Sequence, residues 1–174
     1  MAAVSEEELY RLAERLGACL LERGLKLATA ESCTGGWVAQ CVTDVAGSSA
    51  WFERGFVTYS NGSKQELLGV PSSVLEAYGA VSEETVRAMA AGALNASRAD
   101  CAVAVSGIAG PSGAVPGKPV GTVWFAWATH TGAVATRCAR YEGDRRAVRR
   151  QAVAEALRGV LALYEEAGGG GGGA

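Results

Sequence analysis

Three short stretches carry residue types that amide or ester chemistry needs. The first, Glu31-Ser32-Cys33-Thr34-Gly35-Gly36, follows a short apolar strand over residues 26–30 and precedes the helical run Trp37-Val38-Ala39-Gln40. The first amides of a helix lack intrahelical acceptors, and glycines let another group approach the backbone closely. Ser32 there is either a nucleophile, with the N–H groups of Thr34, Gly35 and Gly36 and the positive end of the helix dipole to hold an oxyanion, or an N-cap. The second stretch, Tyr59-Ser60-Asn61-Gly62-Ser63-Lys64, offers a phenol, an amide and an amine on one turn. A serine nucleophile needs a base, and the single histidine, His130, falls at a hairpin turn. Lysine can substitute, because burial lowers its pKa from the ordinary value of about 10.4 and leaves the amine neutral. Lys64 is the best placed for this; its other reading is a solvated lysine at a helix start, with Tyr59 a half-buried strand aromatic and Asn61 a turn residue.

The third stretch runs from Ser106 through Gly107, Gly110, Pro111, Gly113, Pro116 and Gly117 to Lys118. It matches neither the dinucleotide fingerprint nor a P-loop, which leaves a mononucleotide cradle, a loop that covers substrate, or a rigid surface loop. Arg145, Arg146, Arg149 and Arg150 open the last helix and form either a phosphate clamp or a solvated face. Cys33 is a rival nucleophile, since a thiol at a helix start has a lowered pKa.

The elements that must position these residues follow from periodicity. Apolar residues at helical spacing predict a helix from about Ser5 to Arg23, closed by Gly24, a helix from Trp37 to near Gly47, one capped by Ser82 and running to about Ser97, and a last one from about Asp144 to Glu166. Residues 51–59, 101–106, 120–129 and 133–141 read as strands, the last two as a hairpin around Thr131-Gly132. Asn61-Gly62 signals a turn before a helical turn at residues 64–68, and Pro71 is suited to begin another helix. The order predicts an α/β fold of three layers with a mixed β-sheet between helices, whose ligands sit beyond the carboxyl ends of strands.

Composition excludes several classes of function. A net charge of −2 offers no field for a phosphate backbone, so no nucleic-acid partner is expected. No long apolar run and an acidic amino-terminal stretch predict a cytoplasmic protein with no membrane association. One histidine and five scattered cysteines give a metal site little to be made from, so neither metal nor cofactor is expected. Residues 1–167 read as a single domain and 168–174 as a flexible polyglycine tail with nothing to bury.

Taken together, Thr29-Ala-Glu-Ser-Cys-Thr-Gly-Gly36, Gly47-Ser-Ser-Ala-Trp-Phe52, Tyr59-Ser-Asn61 with Lys64, Leu67-Leu-Gly-Val70, Gly79-Ala-Val-Ser82, Ser106-Gly-Ile-Ala-Gly-Pro111, Lys118-Pro-Val-Gly-Thr-Val-Trp124 and Gly143-Asp-Arg145 resemble the CinA C-terminal-domain family, in family order over residues 5–165. The resemblance implies an amidohydrolase that converts nicotinamide mononucleotide and water to nicotinate mononucleotide and ammonia, in pyridine-nucleotide recycling. It matches Ser32 to the nucleophile and Lys64 and Tyr59 to the base and its helper. Thr34, Gly35, Gly36, Asn61, Ser106, Gly107, Gly110, Gly113 and Arg145 are then the expected substrate-binding positions, the phosphate falling to Arg145 or to amides of the Gly107–Gly113 loop. The chain departs from the family pattern at Gly113-Ala-Val-Pro-Gly-Lys118, which lacks a second glycine and an acidic residue before the lysine, and at Gly62-Ser63, where Glu-Ala is usual. Both bear on loop geometry more than on chemistry. A non-catalytic nucleotide-binding module remains the alternative of a different class, and the apolar, Trp-rich strands suit a homodimer.

Overall fold

The computed structural model describes residues 3–165; the polyglycine tail lies outside the described residues. Five strands, β1 (Leu27–Glu31), β2 (Phe52–Val57), β3 (Cys101–Gly107), β4 (Thr122–Thr129) and β5 (Val134–Arg140), form one sheet in the order β2-β1-β3-β4-β5. β1 pairs in parallel with β2 and β3, whereas β3–β4 and β4–β5 are antiparallel, giving the mixed sheet expected. Side chains alternate across a strand, so Leu27 enters one core and Ala28 and Ala30 the other. The first core packs beneath α1 (Glu6–Arg23), α2 (Trp37–Thr43) and α6 (Arg145–Glu165). The second packs beneath α3 (Asn61–Leu68), α4 (Ser72–Tyr78) and α5 (Glu83–Asn95), which completes the three layers.

This winding positions the site. The chain leaves β1 for β2 on one side and later returns to β3 on the other, so the winding reverses beside β1. Because β1, β2 and β3 are parallel, their carboxyl ends share one edge, and Ser32, Thr58-Tyr59 and Ser106-Gly107 all emerge there.

Three local readings are corrected. Asn61-Gly62 is the first turn of α3 rather than a free turn, because Ser60 and Ser63 form a capping box, Ser60 Oγ accepting from Ser63 N at 3.0 Å and Ser63 Oγ from Ser60 N at 3.1 Å. α2 stops at Thr43, whose hydroxyl donates back to the carbonyls of Ala39 and Gln40, and a 3-10 turn at Ser48–Ala50 occupies the stretch where its end was expected. Pro71 is the residue just before α4, not its first. Among the described residues, no helix is long and apolar enough to cross a membrane.

α6 docks on the sheet through Gly159, which lies against the buried indole of Trp127; the indole N–H donates to Ala156 O at 3.0 Å. A methyl group at position 159 would overlap that ring. Gly159→Ala should therefore destabilise the protein by about 2 kcal/mol, roughly 4–8 °C in Tm, even though alanine is the better helix former. Thermal unfolding checks this, and an unchanged or raised Tm would show that the contact relaxes freely.

Candidate active site

Ser32 sits one residue beyond β1, in a backbone frame shared by three strands. Its N–H donates to Val105 O at 3.0 Å, and Thr58 N donates to Glu31 O at 2.8 Å, so β1 is still paired on both sides where Ser32 emerges. Lys64 lies on the first turn of α3, its N–H bonded to Ser60 O, and its side chain returns towards β1. Its Nζ donates to Ser32 Oγ at 3.0 Å, to Thr58 O at 2.8 Å and to Tyr59 O at 3.4 Å. Lys64 is 1% exposed and Ser32 8%.

A lysine buried this deeply normally has a carboxylate partner. Among the described residues, no ion pair includes Lys64. Loss of hydration therefore dominates and lowers its pKa below the ordinary lysine value. A neutral amine keeps two N–H donors and gains a lone pair. In that neutral form, with the Thr58 and Tyr59 carbonyls taking the two donors, the lone pair would face Ser32 Oγ and the hydroxyl would become the donor of the 3.0 Å contact.

Cys33 behaves in the opposite way to the lowered thiol expected at a helix start. Burial, and next the adjacent Glu31 carboxyl, push its pKa up to about 12, so it stays a protonated thiol at neutral pH.

Glu31, which adds to the larger effect of burial, is a residue that the sequence reading left unassigned. It is buried, at the end of β1, and its carboxyl accepts from Thr34 Oγ1 at 2.6 Å, Val38 N at 2.8 Å and Ala39 N at 3.1 Å. It thereby caps α2, whose Gly36 N-cap has no side chain to do so. Burial raises the Glu31 pKa, against these hydrogen bonds, which lower it. Of the helix amides expected to hold an oxyanion, that of Gly35 is already occupied. Gly35 N donates to Ser32 O and Trp37 N to Thr34 O, both at 3.0 Å. Among the described residues, the N–H groups of Cys33 and Thr34 have no protein acceptor, and these are the first two amides after Ser32.

Ser32, Cys33, Tyr59, Lys64, Ser106, Gly107 and Arg145 line one cavity of about 200 Å³, together with Ala80, Val81 and Ala109. That is below the roughly 300–1,000 Å³ of clefts that enclose a drug-sized ligand, and leaves room for a small group rather than a whole ligand of that size. Tyr59 is 62% exposed, and its phenol accepts from Arg145 Nη2 at 3.1 Å, while Arg145 Nη1 donates to Gly110 O at 2.8 Å. The phenol therefore belongs with Arg145; Tyr59 meets Lys64 through its carbonyl. Thr34, Gly35 and Gly36 line a separate cavity with Trp37, Arg146 and Arg149. Asn61 is exposed on α3, and neither Gly110 nor Gly113 lines the serine cavity; Gly110 contributes by holding Arg145. Ala80 and Val81 were missed as site residues because two small apolar side chains between helices carry no chemical signal of their own.

Residues 9–164 match the profile of the CinA C-terminal domain. The chain belongs to that family. Among the CinA-domain proteins of known name, it is 59% identical over 155 residues to nicotinamide-nucleotide amidohydrolase PncC of Escherichia coli K12, covering 89% of this chain and 94% of that protein. It is 54% identical over 160 residues to the Pseudomonas putida protein of the same name, covering 92% and 99%. The crystal structure of the competence/damage inducible protein CihA from Agrobacterium tumefaciens superposes with a TM-score of 0.88 at 44% identity, over 94% of this chain and 98% of that one. This chain and the Agrobacterium protein thus share one fold.

Proposed function

We propose that this chain is a nicotinamide-nucleotide amidohydrolase, converting nicotinamide mononucleotide and water to nicotinate mononucleotide and ammonia in pyridine-nucleotide recycling. The observation that carries the reading is the buried contact of 3.0 Å between Lys64 Nζ and Ser32 Oγ, at the base of a cavity rimmed by Arg145. Relatives of 54–59% identity bearing the amidohydrolase name supply the substrate.

The chemistry runs in two halves. Neutral Lys64 takes the Ser32 proton as Oγ bonds to the carboxamide carbon, and the oxyanion is met by the N–H groups of Cys33 and Thr34. The cationic pyridinium already makes that carbon electrophilic. The tetrahedral intermediate collapses, the C–N bond breaks, and the Lys64 ammonium returns its proton to the departing nitrogen, which leaves as ammonia. Water then attacks the ester on Ser32, gives its proton to Lys64, and the bond to Oγ breaks as Lys64 reprotonates the serine. The route requires no cofactor or metal. Arg145, with Tyr59, holds the phosphate end at the rim. In keeping with the acidic pI of about 5.5, we assign the protein to the cytoplasm as a homodimer without nucleic-acid or membrane partners.

Incubating the purified protein with nicotinamide mononucleotide should release one ammonia per nicotinate mononucleotide formed, with kcat in the usual enzyme range of roughly 1–10³ s⁻¹. Nucleotide binding without ammonia release would make the chain a binding module instead.

A further inference from the structure

The turn that carries Ser32 is held from behind by a side chain that the hydrolytic steps do not touch. Arg149, near the start of α6, donates from Nε to Cys33 O at 3.0 Å and from Nη2 to Thr34 O at 3.2 Å. Its guanidinium also lies over the Trp37 indole, 5.3 Å from the ring centroid. The neighbouring carboxylate, Glu6, pairs with Arg146 at 3.7 Å and Arg150 at 3.5 Å, which leaves the Arg149 fork to the two carbonyls.

In a trans peptide unit the C=O and N–H point in opposite directions. Anchoring Cys33 O on Arg149 therefore turns Thr34 N–H away from α6. Gly35 and Gly36 follow at φ 60° and 101°, so the backbone after the turn has little intrinsic resistance to a peptide flip, and side chains must supply it. Glu31 holds Thr34 by its hydroxyl from one side, and Arg149 holds the carbonyls from the other.

We infer that Arg149 is a positioning residue for the hydrolysis. By locking the Cys33–Thr34 peptide it keeps Thr34 N–H, beside Cys33 N–H, directed at the oxyanion formed when Ser32 attacks. The inference rests on the amidohydrolase reading for its substrate, but the geometry applies to any electrophile that Ser32 attacks.

The test compares Arg149→Met, which keeps the side chain's length without donors, with Arg149→Lys, which keeps one donor. Arg149→Met should lower kcat on nicotinamide mononucleotide by about 10²-fold, the usual loss for one oxyanion donor, with KM within about threefold of wild type. The acid limb of the rate profile should stay where it is, because it belongs to Lys64. Arg149→Lys should recover about a tenth of wild-type kcat, and millimolar guanidinium should partly restore Arg149→Met. Phosphonylation of Ser32 by a fluorophosphonate, whose phosphoryl oxygen takes the oxyanion position, should slow in parallel. That arm reads the geometry even in a protein that leaves the nucleotide intact, so failure of the substrate reading and failure of this one are separable. Equal labelling of Ser32 in wild type and both variants, a loss confined to KM, or a shifted acid limb would each overturn the role. If Arg149→Met does not fold, Arg149→Lys against wild type decides by the same measures.

Discussion

Ser32→Ala should lower kcat for ammonia release by about 10⁴- to 10⁶-fold, the range seen when a nucleophile that acts as a unit with its base is removed. The protein should melt within a few degrees of wild type, because the hydroxyl makes one side-chain hydrogen bond, to Lys64. Cys33→Ala should keep kcat within about threefold, since a thiol whose pKa is pushed up to about 12 supplies almost no thiolate at neutral pH. The two residues are adjacent, so the comparison separates serine from thiol chemistry at nearly constant geometry. The reverse ranking, with Cys33→Ala inactive and Ser32→Ala active, would move the nucleophile by one residue.

Lys64→Met should lower kcat by about 10³-fold or more, and Lys64→Arg should be nearly as poor, because guanidinium keeps its proton throughout the working range. Both should still bind the nucleotide, since Arg145 and Ser106 are untouched. In the proposed mechanism the active form is the neutral amine, so the rate should fall as pH drops through the Lys64 pKa, which burial sets below the ordinary lysine value. Stability follows the same proton. The folded pKa lies below the unfolded one, so between the two the unfolded chain binds more protons and stability rises with pH. The destabilisation from burying the charge is complete below the folded pKa and vanishes above about 10.4, the unfolded value. Lys64→Met should therefore melt no lower than wild type at neutral pH, and its advantage should shrink as pH rises. A rate that stays flat from about pH 9 to about pH 5, between the ordinary values of lysine and carboxylates, would exclude Lys64 as the base.

Much of the fold is legible in the sequence because local signals agree there. Ser5 and Ser82 cap helices at the expected positions, Gly24 closes α1 at φ 66°, and the buried run Cys101–Ser106 reads directly as an inner strand. Ser32 and Lys64 are legible as candidates because each sits at a strand-to-helix junction, where the fold delivers groups to a common edge. Asn61-Gly62 misleads because turn propensity is weaker there than the Ser60–Ser63 capping box. Glu31 and Arg149 are hidden for another reason. A glutamate at a strand end and an arginine on a charged helix look like solvated residues until the chain folds, and their partners are backbone groups that no residue type announces.

The reach of Arg149 across 116 residues to Cys33 also bears on how the molecule is made. The candidate active site is assembled from the turn after β1, from α3, from the end of β3 and from helix α6. Helices such as α1 and α5 can form from local contacts within microseconds, but closing loops of this length is slow and belongs to the late part of folding. On the proposed mechanism, catalysis is then the last property the chain acquires: a half-made or half-refolded molecule can have most of its helix content, with Ser32 and Lys64 both present, before Arg149 on α6 has reached the turn that carries Ser32.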